Sequence, residues 1–341
     1  MRLLLVTQVI DRNDPSLGFF HDWIEELAKG CEHVEVICLR EGSHQLPANV
    51  CVHSLGKERG ERSSLTYAFR FLVLIWKLRD KHDAVLVHMN PEYVVLGGVW
   101  WKLLRKRVGL WYVHKSVTFR LKIASLLADF IFTASPESFR LPSSKLRVMG
   151  HGINLEPFDH VQRMHDDTDL KILSIGRISR SKRILDILDV LDVLSGQGIE
   201  FSCMIVGAPV TSEDKAYEEQ VCAAIQSRPY ANRVTMAGPA PYEGIAQIYA
   251  GATALLHLST TGSLDKVVLE AMACGTPVVS TSEAFAEAPI LHVRSDRPEE
   301  VAAAIMQART VDPEPLKAYV RSNHSLQTLI PKILSAYEEC D

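Results

Sequence analysis

No apolar run in this sequence is long enough to cross a bilayer. A spanning helix needs about 20 mostly apolar residues, and the most apolar segment, YAFRFLVLIWKLRDK, is broken by Arg70 and Lys77. The opening MRLLLVTQVIDRND has a short apolar run followed by charges rather than by a small-residue cleavage site, so it reads as a first strand and not as a targeting segment. Cysteine is sparse. The seven are odd in number and show no C-x-x-C spacing, which speaks against a disulfide framework or a zinc site and fits a reduced cytoplasm. A basic excess is missing as well: the formal net charge of -4 argues against a dedicated nucleic-acid binder. Short-period repeats and low-complexity tracts are absent, which sets aside solenoids and propellers. No G-x-G-x-x-G turn follows the first apolar run, so hydride transfer on a dinucleotide held by that fingerprint is disfavoured.

Acidic residues are missing over one long stretch. Between Tyr93 and Ala128 there is none, yet seven basic residues (Lys102, Arg105, Lys106, Arg107, Lys115, Arg120 and Lys122) are mixed there with Trp100, Trp101, Trp111, Tyr112 and Phe119. The preceding RSSLTYAFRFLVLIWKLRDK has the apolar and basic content of an interfacial helix. Exposed cations add about 1 kcal/mol each near an anionic leaflet. The expectation is a cytoplasmic protein held peripherally on the inner face of the membrane.

What the chain has in plenty is alternation. Apolar runs LLLVTQV, VEVICL, AVLVHM, VGLWYVH and FIFTAS recur between helical stretches in the first half, and KILSIG, FSCMIVG, RVTMAG, ALLHLS and PVVST in the second. Strands separated by helices imply parallel sheets covered on both faces. With 341 residues, 47% of them hydrophobic, two cores can be buried. The expected division is an N-terminal Rossmann-like domain over residues 1–153, a polar linker over 154–170, a second such domain over 171–320, and a C-terminal helix within 321–341 that packs back on the first.

Open parallel sheets bind ligands beyond the carboxyl ends of their strands. In SIGRISRSKRILDILDVL a strand ends at Gly176, and Arg177, Arg180, Lys182 and Arg183 occupy the turn before an apolar-striped helix. Four cations at that position attract phosphate: arginine forks onto two oxygens and lysine acts as a compact charge. Further on, LEAMACGTPVV puts one carboxylate, Glu270, into an apolar helix stopped by Gly275. Val268, Ala271, Met272 and Gly275 form its expected buried face, with Glu270 on the other side one turn after Lys266.

GRISRSK, GHGIN and LEAMACGTPVV, in this order and spacing and with ADFIFTASPESFRL and YVHKS before them, resemble the family 4 glycosyltransferases, retaining enzymes of the two-domain GT-B fold. The resemblance covers nearly the whole chain. It implies an α/β protein with two doubly wound Rossmann-like domains facing across a cleft. It implies a hexosyltransferase whose donor is a nucleotide diphosphate sugar and whose acceptor is a glycan or lipid-linked hydroxyl, as in glycan, glycolipid or polysaccharide biosynthesis. Neither a cofactor nor a nucleic-acid partner follows from it.

Carried over by position, Arg177 and Lys182 bind the donor diphosphate and stabilise charge on the departing group, and Glu270 accepts hydrogen bonds from the nucleotide ribose within the cleft. His114 of LWYVHKS matches a histidine placed near the reacting sugar. Gly18 matches a glycine of the first strand-helix loop, where a missing side chain lets backbone approach phosphate or sugar. Gly152 and Asn154 fit a turn at the domain junction, and His151 has no assigned chemistry. The chain departs from the pattern at Gly262, where the family places a first glutamate. Asp265 either takes over a sugar hydroxyl or caps the helix that begins near Lys266. No metal is implied, because Arg177 and Lys182 supply the charge stabilisation and no clustered ligand set stands in the sequence. A GT-B sugar-nucleotide epimerase and a non-catalytic sugar-nucleotide-binding module are the competing readings.

Overall fold

The computed structural model describes residues 1–14, 17–60, 63–161 and 170–339, arranged as two compact units. Unit 1 comprises Met1–Asn154 and Ser325–Asp341, and unit 2 comprises Leu155–His324. Residues 162–169 of the expected linker lie outside the described residues, as do 340 and 341.

In chain order unit 1 contains β1 (Arg2–Ile10), α1 (Phe20–Gly30), β2 (His33–Glu41), β3 (Val50–Ser54), α2 (Ser64–Lys77), β4 (Ala84–His88), α3 (Pro91–Leu103), β5 (Arg107–Trp111), α4 (Phe119–Leu127), β6 (Phe130–Thr133) and β7 (Leu146–Val148). Unit 2 follows with α5 (Glu156–Asp159), β8 (Leu170–Ile175), α6 (Ile184–Gly196), β9 (Phe201–Val206), α7 (Ser212–Gln226), β10 (Val234–Gly238), α8 (Ile245–Ala250), β11 (Ala254–His257), α9 (Lys266–Ala273), β12 (Val278–Ser280), β13 (Leu291–His292), α10 (Pro298–Gln307) and α11 (Pro313–His324). The chain then returns to unit 1 in α12 (Leu326–Glu338). The boundary expected at residue 320 falls inside α11, which stays in unit 2 to its last residue.

The first sheet has seven strands in the order β3-β2-β1-β4-β5-β6-β7, all paired in parallel. Residues two apart on a strand point to the same face, and β1 shows the result. Leu3 and Leu5 join a core under α1 and α12, while Leu4 and Val6 join a separate core under α2, α3 and α4. A strand covered on both faces needs a continuous apolar run, which is why RLLLVTQVI does not alternate. The second sheet has six strands, β10-β9-β8-β11-β12-β13, again parallel. Its core on one side is filled from α6, α7 and α10. Helix α9 packs against β11 and β12 and is flanked by α8 and α11.

Candidate functional site

In unit 2 the strands β9, β8 and β11 lie side by side, and the segments that leave their carboxyl ends carry the charged groups. Gly176 and Arg177 follow β8, and Arg180–Lys182 make a single 3-10 turn before α6. Arg177 and Lys182 line a depression beyond these strand ends together with Gly176, His257 and Ser259. The other two cations of the turn are directed elsewhere. Arg183 bonds Asp296 at 2.6 Å and Asp186 at 3.0 Å, while Arg180 bonds Gln220 at 3.2 Å and lies over the Tyr217 ring. The expected four-cation cluster is therefore a pair, because acids on α6 and ahead of α10 neutralise Arg183 where it enters the helix. Arg177, half exposed, stands 3.9 Å from Asp214, a separation that leaves its guanidinium uncommitted. Asp214 is itself occupied, closing a capping box with Thr211 at the start of α7.

Lys182 is held differently. Its ammonium donates to Asp265 Oδ2 at 2.6 Å, and His257 Nε2 donates to the same oxygen at 2.7 Å. In the tautomer that satisfies both ring nitrogens, His257 Nδ1 accepts from the Ser280 hydroxyl at 2.9 Å, and Ser280 Oγ accepts from the Ser282 N–H at 3.1 Å. A chain of hydrogen bonds thus runs from the end of β12, through the last residue of β11, to the residue before α9 and on to the lysine before α6. Burial, the largest single influence on Asp265, pushes its carboxyl up. The hydrogen bond from His257 and the Lys182 charge together outweigh it and hold the group well below the usual carboxylate range.

Asp265 occupies the N-cap position of α9, yet its side chain makes no capping hydrogen bond. The capping alternative fails because the carboxylate is turned towards Lys182 and His257. Gly262, where the family pattern has a glutamate, sits in the left-handed region at φ 62, a conformation that costs a residue with a side chain about 1–2 kcal/mol. Glycine therefore suits this backbone path better than a glutamate would.

After its first two residues, helix α9 has no solvent face: Val268, Leu269, Glu270, Ala271, Met272 and Ala273 are all buried. The expected outward projection of Glu270 is corrected accordingly. Its carboxylate accepts from the Tyr249 hydroxyl at 2.8 Å and pairs with Lys266 at 3.1 Å, and Lys266 also lies over the Tyr242 ring. The charge is accommodated because α8 supplies a hydroxyl and the first turn of α9 supplies a cation.

Gly18 and His114 belong to unit 1, beyond the carboxyl ends of β1 and β5. Gly18 donates to the Asp14 carbonyl at 2.9 Å, and a β-carbon there would stand 2.7 Å from the Arg12 carbonyl oxygen, so glycine is required by the turn itself. His114 is exposed and accepts from the Ser116 N–H through Nδ1 at 3.0 Å. In the segment expected at the junction, Trp23 donates to the Gly152 carbonyl at 3.1 Å and Asn154 to Asp22 at 2.8 Å, which fastens it to α1.

Sequence reading passed over His88, which ends β4 between the strands that carry Gly18 and His114. It is buried, stacked on Phe20 at 4.0 Å and within 3.3 Å of the Thr7 hydroxyl, and burial pushes it down to about 3. The next residue, Met89, takes a left-handed φ of 64; backbone of this kind concentrates at functional sites. The strand-terminal position of His88 in AVLVHMN was the available signal. Strand pairing also assembles what the linear sequence did not show as a ligand set. His33, Glu35 and Cys51 present ligand atoms within 4.8 Å of one another on β2 and β3. Lys81, 3.3 Å from Glu35, already supplies a positive charge there.

Residues 156–306 match the sequence profile of the family described as glycosyl transferases group 1. No curated protein sequence matches the chain significantly. Among solved structures, Anabaena HepE in complex with UDP superposes with a TM-score of 0.78 at 17% identity, over 99% of this chain and 100% of that one. Sucrose-phosphate synthase from Thermosynechococcus elongatus gives 0.77 at 17% identity over 99% of both chains. A UDP-forming trehalose-phosphate synthase from Burkholderia xenovorans gives 0.71 at 13% identity over 98% of both. The two parallel-sheet units are those of the GT-B fold.

Proposed function

We propose that the protein is a retaining glycosyltransferase that moves a hexose from a nucleotide diphosphate sugar, with uridine as the base, to an acceptor hydroxyl. The observation that carries this reading is the placement of Arg177 and Lys182 beyond the ends of β8 and β11, with Lys182 held by Asp265. The match of residues 156–306 to the group 1 family supports it, and so do the HepE structures in complex with UDP and with UDP-glucose.

In the proposed reaction the bond between the anomeric carbon and the diphosphate oxygen breaks, and its electron pair leaves with the diphosphate. The acceptor oxygen bonds to the same face of the anomeric carbon, and its proton passes to the departing phosphate. Charge on that phosphate grows towards the transition state, so cations fixed beside it lower the barrier instead of only tightening the ground state. Lys182 is pre-aimed by Asp265 and needs little ordering on binding. Arg177 brings a planar fork to a second phosphate oxygen. For Glu270 to receive the ribose hydroxyls its buried carboxylate has to give up Tyr249 or Lys266 on binding, and Asp265 is near enough to the cations to take a sugar hydroxyl. His114 and Gly18 serve the sugar and the acceptor side.

Titration with UDP, and turnover of UDP-glucose with and without an acceptor panel, test this. Lys182→Ala and Arg177→Ala are expected to lower transfer by at least about tenfold, roughly 1.4 kcal/mol of transition-state stabilisation, with the fold intact. Unchanged UDP binding and turnover in both variants refutes the assignment. A change in the sugar of free UDP-glucose without acceptor identifies an epimerase instead.

A further inference from the structure

The helices that cover one face of the seven-stranded sheet, α2, α3 and α4, each carry a second apolar stripe turned away from it. On α2, Phe71 and Ile75 are buried, whereas Leu65, Phe69, Leu72 and Trp76 recur at helical spacing on the opposite side with exposures of 83, 68, 42 and 51%. On α3 the outward residues are Leu96, Val99 and Leu103, the last 71% exposed. On α4 they are Phe119 and Leu126, at 76 and 72%. The stripes are neighbours: Trp76 lies against Trp100 of α3 with ring centroids 4.9 Å apart, and α3 packs along α4. Single exposed apolar side chains are ordinary, but a contiguous set across three helices marks an interaction surface.

The same face is cationic. Lys77, Lys102, Arg105, Arg120 and Lys122 are exposed among these stripes, and Arg79 lies over the Trp76 ring. The acid on these helices is Glu92, which is paired with Arg120 at 3.0 Å. A second copy of this chain suits such a face poorly, because a two-fold interface would set its cations against themselves. An anionic surface with an apolar interior suits it well, since each cation near that surface raises partitioning by about fivefold.

We propose that this face docks on an anionic lipid bilayer, with the apolar stripes entering the headgroup boundary and the lysines and arginines meeting the lipid charge. The loop that carries His114 runs through Val117, itself 40% exposed, directly into α4. Docking therefore brings the acceptor-side histidine to the membrane surface, which deepens the proposed function by making the acceptor membrane-borne. That last step rests on the glycosyltransferase reading; the docking itself does not.

Sedimentation of the full chain with phosphatidylcholine vesicles, with and without phosphatidylglycerol, at low and high salt tests the proposal. The protein is expected to pellet with anionic vesicles at low salt and to be released as the Debye length shrinks from about 10 Å at 0.1 M to about 3 Å at 1 M. The triple variant Leu103→Asp, Phe119→Asp, Leu126→Asp, confined to exposed positions and checked by circular dichroism, is expected to bind at least about tenfold more weakly. Recovery of the parent in the supernatant with anionic vesicles at low salt overturns the proposal, as does equal binding by parent and variant. A vesicle-independent dimer that the variant abolishes assigns the face to a second copy and overturns it too. Vesicle binding is read without substrate, so its failure leaves the donor-site reading standing.

Discussion

Replacing Asp265 by asparagine keeps the size of the side chain and one acceptor but removes the charge shared by Lys182 and His257. The Lys182 and Asp265 side chains are 19 and 16% exposed, so the pair lies near the buried limit. Removing one partner from a fully buried pair costs about 3–5 kcal/mol, and an exposed pair contributes about 0–1 kcal/mol. With residual exposure, and with the amide retaining a hydrogen bond, about 2 kcal/mol is expected at neutral pH. The carboxyl is depressed in the folded protein, relative to an ordinary value of about 3.9. Its contribution is thus complete above about pH 5 and is lost as pH falls through the unfolded value towards the folded one.

For an m of about 2 kcal/mol/M the urea midpoint of unit 2 should fall by about 1 M at neutral pH. All five tryptophans lie in unit 1, so the transition is followed by circular dichroism, and fluorescence serves as the control on the unsubstituted unit. The gap between parent and variant is expected to narrow as pH is lowered below about 4. Equal midpoints at neutral pH, or a gap unchanged at the lowest pH at which both fold, would refute the reasoning.

Gly262→Glu places a carboxylate where the resembled family has one, on a backbone that disfavours a side chain. The left-handed backbone should cost about 1–2 kcal/mol in urea denaturation, with no gain in turnover of UDP-glucose; an increase in turnover would contradict the conformational account. His88 is pushed down to about 3 by burial, so the unfolded chain binds a proton more readily between that value and about 6.5, and stability rises with pH through this window. His88→Phe should remove up to about 1.4 kcal/mol per pH unit of that slope as read from tryptophan fluorescence midpoints. His82, pushed down to about 4, keeps part of the slope in the variant. A slope unchanged by the substitution counts against a neutral buried His88.

The long strands were legible because a parallel strand buried on both faces writes itself as an apolar run, as in β1, β8 and β9. The short edge strands β3, β7 and β13 were not, since one flank of each lacks a neighbour and VCVHS or LRV carries little apolar signal. Arg177 and Lys182 stood out as cations after a strand. The partnership of Lys182 with Asp265 spans 83 positions and depends on β8 and β11 being neighbours, which no local pattern encodes. Glu270 was misplaced for a related reason: heptad-like spacing identifies one buried face of α9, but α8 and α11 cover the rest. His257 was hidden because a histidine closing an apolar strand looks the same in sequence whether it fills the core or orients a carboxylate.

Helix α12 belongs to unit 1 although all of unit 2 precedes it in the chain. Leu329, Ile330 and Ile333 fill the core beneath β1, and the Tyr337 hydroxyl donates to the Val85 carbonyl at 2.8 Å across 252 positions. During synthesis the sheet of unit 1 therefore emerges first and is completed last. At about 5–20 residues per second, the intervening residues leave one sheet face covered by α1 alone for roughly 10–30 s. Unit 2, contiguous from Leu155 to His324, has no such wait. The nascent chain thus carries a finished second half while its first half still exposes apolar surface on the ribosome, the period in which a holding chaperone has the most to bind.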